Sequence, residues 1–131
     1  TTFAVRASAK GFHLITSEVV RALGPLPEQG ILHLFLQHTS AALAINENAD
    51  PTVRTDLDTS FDRLAQEGAG YTHDAEGPDD MPAHIKSVMT GVSVSVPIVK
   101  GKLALGTWQG IYLCEYRRTA SDRSIVATIV S

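Results

Sequence analysis

The chain has 131 residues, the length of one ordinary domain, with 44% hydrophobic and 19% charged residues, so general disorder is excluded. Eleven Lys and Arg stand against 14 Asp and Glu, a formal charge of −3, which leaves no broad basic field for nucleic-acid phosphates. No apolar run reaches the ~18 residues of a spanning helix, and one cysteine allows no internal disulfide, so the expectation is a cytoplasmic protein without nucleic-acid or membrane partners.

Phe3, Val5 and Ala7 alternate with polar or small neighbours, and Gly11 to Ile15 forms a second short apolar run; both predict strands. Thr16 or Ser17 offers an N-cap for a short helix with Val19, Val20 and Leu23 inward, stopped by Gly24-Pro25. Residues 31–38 are apolar and short, which predicts a strand buried on both faces. One face would carry Leu32, Leu34, Leu36 and His38, the other Ile31, His33, Phe35 and Gln37. After the turn at Thr39-Ser40, residues 41–46 predict a returning strand.

Asp50-Pro51 opens the clearest helix, with a capping side chain followed by a first-turn proline. Val53, Leu57, Phe61 and Leu64 form its expected buried stripe. A polar loop, residues 71–80, leads to a second helix capped by Asp79 or Asp80, with Met81, Ile85, Val88 and Met89 expected inward and Gly91 as the stop. From residue 92 the period changes to two. Val92 to Ile98, a turn at Lys100-Gly101, Leu103 and Leu105, then 111–117 and 124–131 predict hairpin-connected strands. This order predicts one domain over 1–131: an α+β fold with a largely antiparallel sheet and two or three helices.

Three histidines occupy suggestive places. His38 ends an apolar strand, His73 lies in an acid-rich loop, and His84 sits in the first turn of the helix that follows, beside Val88. Three neutral imidazoles suit zinc or another divalent ion, with Asp79 or Asp80 joining them or orienting a ring. Spacings of 35 and 11 residues match no short zinc motif, so separately hydrogen-bonded histidines are the plainer reading from spacing alone. His13 and His33 read as structural. The carboxylates Asp74, Glu76, Asp79 and Asp80 form either an acid cluster for a metal or proton transfer, or a solvated loop with a helix cap. Glu115 and Arg117 share a strand face with Ile111 and Leu113, so they either pair locally or meet a ligand. Gly106-Thr-Trp-Gln-Gly110 could wrap a ligand, with Thr107 and Gln109 as its polar groups, or form a bulge.

Five blocks in order carry a resemblance: Leu36-Gln-His38-Thr-Ser-Ala, Asn46-Glu-Asn, Asp50-Pro-Thr-Val, His73-Asp-x-Glu-Gly-x-Asp-Asp-Met-Pro-x-His84-Ile-Lys, and Gly106-Thr-Trp-Gln-Gly-Ile. Together they resemble the YjbQ-like family, also labelled secondary thiamine-phosphate synthases. The resemblance implies a small α+β subunit forming a homotrimer. It also implies a weak transferase activity joining hydroxymethylpyrimidine diphosphate to thiazole phosphate, with release of pyrophosphate. By position it implies His38, His73 and His84 as metal ligands, for zinc first and magnesium second. Glu47, Gln109, Glu115 and Arg117 would be catalytic groups, with Asn46, Lys86 and Thr107 contacting the bound phosphorylated substrate. Two other functions compete: metal-dependent hydrolysis of a small phosphorylated or acyl compound, with Glu47 as a base, and a trimer that binds metal or metabolite without turnover.

Overall fold

A computed structural model describes residues 1–119 and 121–131. The strands are β1 (Thr2–Val5), β2 (Gly11–Leu14), β3 (Gln29–Leu36), β4 (Ala41–Glu47), β5 (Ser93–Val99), β6 (Lys102–Leu103), β7 (Gln109–Glu115) and β8 (Arg123–Val130). The helices are α1 (Thr16–Leu23), α2 (Pro51–Leu64) and α3 (Asp80–Thr90). Every strand pairing is antiparallel, in a five-stranded sheet ordered β1-β8-β3-β5-β6 and a three-stranded sheet ordered β2-β7-β4.

The alternation of side chains along β7 makes its sheet the middle layer. Ile111 and Leu113 join Leu32, Leu34, Leu36, Leu43 and Ile125 in the core between the two sheets. Tyr112, Cys114 and Tyr116 point to the other side and pack with Phe12, Ala42 and Ala83, against Leu57 and Phe61 of α2. The five-stranded sheet therefore has one covered face and one bare one. Leu32, Leu34 and Leu36 are at most 1% exposed, but Ile31 is 52% and Phe35 44% exposed. The expectation that β3 is buried on both faces is corrected: its second face meets nothing among the described residues.

Turn chemistry is where the sequence expected it. Lys100 and Gly101 both have positive φ, the requirement for a two-residue hairpin between β5 and β6. Gly110 is required for a different reason: an added Cβ would lie 2.6 Å from the Leu14 side chain. Asp50 caps α2, its Oδ1 accepting from Thr52 N at 2.9 Å and Thr52 Oγ1 at 2.8 Å. Asp50→Ala should cost about 1 kcal/mol of stability, read as a lower urea midpoint with an unchanged slope. The helix α1 lacks the expected side-chain cap, because Thr16 Oγ1 accepts from Ile111 N at 2.9 Å and so ties the helix start to β7.

The expected stripe of α2 holds through Val53, Leu57 and Phe61 and fails at Leu64, and that of α3 needs fuller correction. In α2, Leu64 is 66% exposed and no residue is fully buried. In α3 the face is reversed: Val88 is 86% and Met89 50% exposed, while Pro82, Ala83, Lys86 and Ser87 are buried. Two polar contacts explain the reversal. Ser87 Oγ donates to Ala41 O at 2.8 Å, and Lys86 Nζ donates to Asp62 Oδ1 at 2.5 Å while lying 5.6 Å from the Tyr116 ring centre. Lys10 joins the same group, donating to Asp58 at 2.8 Å and Asp62 at 3.0 Å. Burial alone would raise the Asp62 pKa, but the hydrogen bonds from Lys86 and Lys10 outweigh it and hold the carboxyl below its ordinary value.

Candidate metal centre

Helix geometry places residues four apart on one face, and α3 begins with such a pair, Asp80 and His84. Asp80 Oδ2 lies 3.0 Å from His84 Nε2. The loop before α3 brings His73 Nε2 to 2.7 Å from the same oxygen, and Glu76 Oε2 to 3.2 Å from His73 Nε2. One ligand atom from each of His73, Glu76, Asp80 and His84 lies within 4.8 Å of all the others. A shared tetrahedral zinc ion sets such atoms roughly 3.3 Å apart, so modest side-chain rotation would close the set. The site is open on one side: the Asp80 side chain is 4% exposed, but His73 is 47% and Glu76 65%.

The hydrogen bonding of His84 shows why a cation fits. Its Nδ1 lies 2.8 Å from the carbonyl oxygen of Thr39, which can only accept, so Nδ1 carries the proton of the neutral ring. The lone pair on Nε2 would then face a carboxylate oxygen. Either a second proton on the ring or a positive ion between the two removes that repulsion. The carbonyl contact also orients the ring, as outer contacts do for metal-binding histidines generally.

Arg117 secures the carboxylate. Its Nη1 donates to Asp80 Oδ1 at 2.5 Å, Nε to Asp79 Oδ2 at 3.1 Å and Nη2 to Glu76 O at 3.0 Å. Asp79 also accepts from Arg118 N at 2.9 Å and makes no side-chain cap, which corrects the plain helix-cap reading of this residue. Burial works against ionisation of both aspartates. For Asp80 the hydrogen bond from His73 and the neighbouring charges outweigh it; for Asp79 the Arg118 N–H and the Arg117 guanidinium do so, and both pKa values are lowered. The hydrogen bond to Asp80 in turn raises the pKa of His73.

The structure brings together two of the three expected histidines. His38 lies outside this cluster: its Nε2 accepts from Ser124 N at 2.7 Å. Burial and the Arg123 charge lower its pKa, against the opposing pull of Glu115. Glu115 is fully buried, and its partner is Arg123 rather than Arg117, with Nε to Oε1 at 2.8 Å and Nη2 to Oε2 at 2.5 Å. A carboxylate so enclosed cannot touch substrate. Lys86, expected at a phosphate, is likewise enclosed, with a side chain 3% exposed against Asp62.

Strand register separates the remaining residues. Ala41 pairs with Glu115, and Glu47 with Gln109, at opposite ends of the β4–β7 pair. Six residues of strand rise put those ends about 20 Å apart. Asn46 and Glu47 thus share the far end with Thr107 and Gln109. There Glu47 accepts from Ala49 N and Asp50 N, each at 3.0 Å; Gln109 Oε1 accepts from Gly106 N at 2.8 Å; and Asn48 Nδ2 donates to Thr107 O at 3.1 Å. These contacts close turns. His13 bonds Ala9 O and His33 bonds Ser95 Oγ, consistent with structural roles. The candidate ligands underused by sequence reasoning are Glu76 and Asp80, and their signal was spacing: His73-x-x-Glu76 and Asp80-x-x-x-His84.

Residues 1–131 match the model of the family described as UPF0047 protein YjbQ-like. The chain belongs to the YjbQ-like family. It is 49% identical over 130 residues to the UPF0047 protein YjbQ of Escherichia coli O157:H7, covering 98% of this chain and 94% of the relative. Identity to the Salmonella typhimurium YjbQ is 51%, with the same coverage. Among solved structures, the conserved hypothetical protein TT1486 of Thermus thermophilus superposes with a TM-score of 0.88 at 33% identity, covering 99% of each chain. A YjbQ/UPF0047 protein of Clostridium acetobutylicum gives 0.86 at 35%, again covering 99% of each. The YjbQ-like fold is therefore shared over the full length. Among the described residues no helix is long and apolar enough to cross a membrane.

Proposed function

We propose that this YjbQ-like chain is a divalent-metal enzyme acting on a small phosphorylated compound. The observation that carries the reading is the convergence of His73 Nε2 and His84 Nε2 on one oxygen of Asp80, with Glu76 beside them. Mixed imidazole and carboxylate donors suit zinc better than magnesium, which prefers oxygen alone. A zinc ion here would supply Lewis acidity to a phosphoryl oxygen. Around it, Arg117 holds Asp80 ionised and in place, Thr39 fixes the His84 ring, and the exposed flank at His73 and Glu76 leaves room for substrate.

The particular reaction we propose is the one the family resemblance implies: transfer of a hydroxymethylpyrimidine from its diphosphate to thiazole phosphate, giving thiamine phosphate and pyrophosphate. A cation beside the Arg117 guanidinium supports it, because the leaving pyrophosphate needs its charge stabilised. Hydrolysis of a phosphorylated or acyl compound is the second reading, favoured by the same donor set, since zinc is well suited to activating water. We further propose a homotrimer, supported by Ile31, Phe35, Val99 and Val130, which stay exposed on apolar surface; light scattering that reports the mass of a single chain would remove it.

Protein purified without chelator should contain zinc in one-to-one ratio with the chain by elemental analysis. Zinc-loaded protein given both thiamine precursors should form thiamine phosphate and pyrophosphate. Phosphate release from simple esters without that product would select hydrolysis. Bound zinc with neither reaction would leave a binding protein, and failure to bind zinc would overturn the metal reading.

A further inference from the structure

The turn that leads into β7 carries the chain's single tryptophan on a fixed frame. Gln109 N donates to Gly106 O, and Asn48 N donates to Trp108 O, each at 3.0 Å. Asn48 Nδ2 also donates to Thr107 O at 3.1 Å and to Gln109 O at 3.0 Å, so the backbone is held on both sides of Trp108. The tryptophan itself is 65% exposed. A large aromatic side chain buries roughly 150–250 Å² when covered, and tryptophan is enriched among the anchors of protein interfaces. A rigid turn that leaves one in water presents a docking group.

A matching hollow lies elsewhere on the same chain. It measures about 580 Å³, ample for an indole ring, with Phe35, Leu36, Val88 and Val92 as apolar walls beside Thr39 and His84. It cannot take its own Trp108. Ser87 in its lining bonds Ala41 O at one end of β4, whereas the Trp108 carbonyl bonds Asn48, just past the other end. Those ends lie about 20 Å apart. None of the described lining residues, and none from Leu103 to Gly110, is Asp, Glu, Lys or Arg. Joining the two surfaces therefore buries no carboxylate, ammonium or guanidinium, in keeping with the depletion of charge at interface centres. Phe35 also belongs to the bare face of β3, so the hollow continues that apolar surface.

We propose that the Trp108 turn of one copy docks in the hollow between the β3 end and α3 of the next copy. The inference rests on the homotrimer proposed above and gives it a particular contact. Polar groups match across that contact as well. The hollow offers Gln37 Nε2 and Thr39 Oγ1, the turn offers Thr107 Oγ1 and the indole N–H, and none has a partner among the described residues. The two hydroxyls accept or donate and the two N–H groups donate, so every one can be met. Turn and hollow occupy different patches, so the contact runs head to tail, and repeating it closes a ring. His84 lines the hollow, so the docked turn makes each copy a wall beside the metal centre of the next.

With one tryptophan in the chain, its fluorescence reads the contact directly. The assembled protein should emit at short wavelength and resist quenching by acrylamide. Val88 is 86% exposed in the single chain, so Val88→Arg should leave the circular dichroism spectrum unchanged. Light scattering should then give the mass of one chain, with emission shifted to longer wavelength and stronger quenching. Trp108→Ala should likewise fall to one chain. Mixing the two variants is the decisive step, because the first keeps its tryptophan and the second its hollow. Adding the tryptophan-free variant should return the emission to short wavelength. A wild-type trimer whose tryptophan is quenched as freely as N-acetyltryptophanamide overturns the docking and leaves the trimer standing. So does a Val88→Arg protein that keeps its mass and its protected emission, or a mixture without recovery. Wild-type protein with the mass of a single chain overturns the trimer and this contact together.

Discussion

Arg123→Met should remove about 3–5 kcal/mol of folding stability. Glu115 is 0% and Arg123 4% exposed, and the guanidinium grips both carboxylate oxygens. Arg117 N adds a third donor to Glu115 at 3.2 Å, and Arg123 Nη1 reaches Ser40 Oγ at 3.1 Å. The methionine leaves a buried carboxylate whose charge has lost its ionic partner. Uncompensated desolvation, rather than loss of attraction alone, makes the cost large. Pairing Arg123→Met with Glu115→Leu removes both charges and should recover most of the stability in urea titration. A single variant that loses less than about 1 kcal/mol would show that water reaches this pair.

His84→Ala should weaken zinc binding by about a hundredfold or more, because it removes a ligand and the ring that Thr39 holds in place. Arg117→Lys should cost about ten- to hundredfold, since lysine cannot span Asp79, Asp80 and the Glu76 carbonyl together. His38→Ala should leave zinc affinity unchanged. That contrast separates the two-histidine, two-carboxylate centre from a three-histidine one, and equal losses at His38 and His84 would reinstate the latter. Zinc uptake should release protons and weaken as pH falls, because imidazole must be neutral to bind it. Competition titration against a chromogenic chelator, at two pH values, reads all of these.

Strands β5 and β8 were legible because period-two alternation survives in them, β7 reads as a short apolar run buried on both faces, and the hairpin turn at Lys100-Gly101 declares itself by residue type. Which face is covered was less legible. An apolar run such as β3 has the same sequence whether its second face meets a helix or nothing. The reversal of α3 was hidden for the opposite reason: Lys86 and Ser87 look solvent-facing until Asp62 and the Ala41 carbonyl, far away in sequence, are seen to receive them. At the site, His73 and His84 could be picked out because one loop and one helix turn join them. His38 was misplaced because an imidazole can be satisfied by a single backbone N–H, and no local pattern announces Ser124 as its donor. Glu47 and Gln109 look catalytic in a motif, yet strand register alone puts them at the wrong end of the sheet.

The position of β8 has a consequence for how the molecule comes into being. It lies between β1 and β3, so the first and third strands in chain order have nothing joining them until the last strand has been made. On the ribosome, β3 can zip with β5 and β4 with β7 while β1 waits as an unpaired edge. The final strand also delivers Arg123 to a Glu115 that until then is an unmatched charge inside a forming core. Closure of the larger sheet and neutralisation of its buried acid are therefore one late event. A nascent chain stalled before Arg123 should remain protease-sensitive throughout, however much of its hairpin structure has already formed.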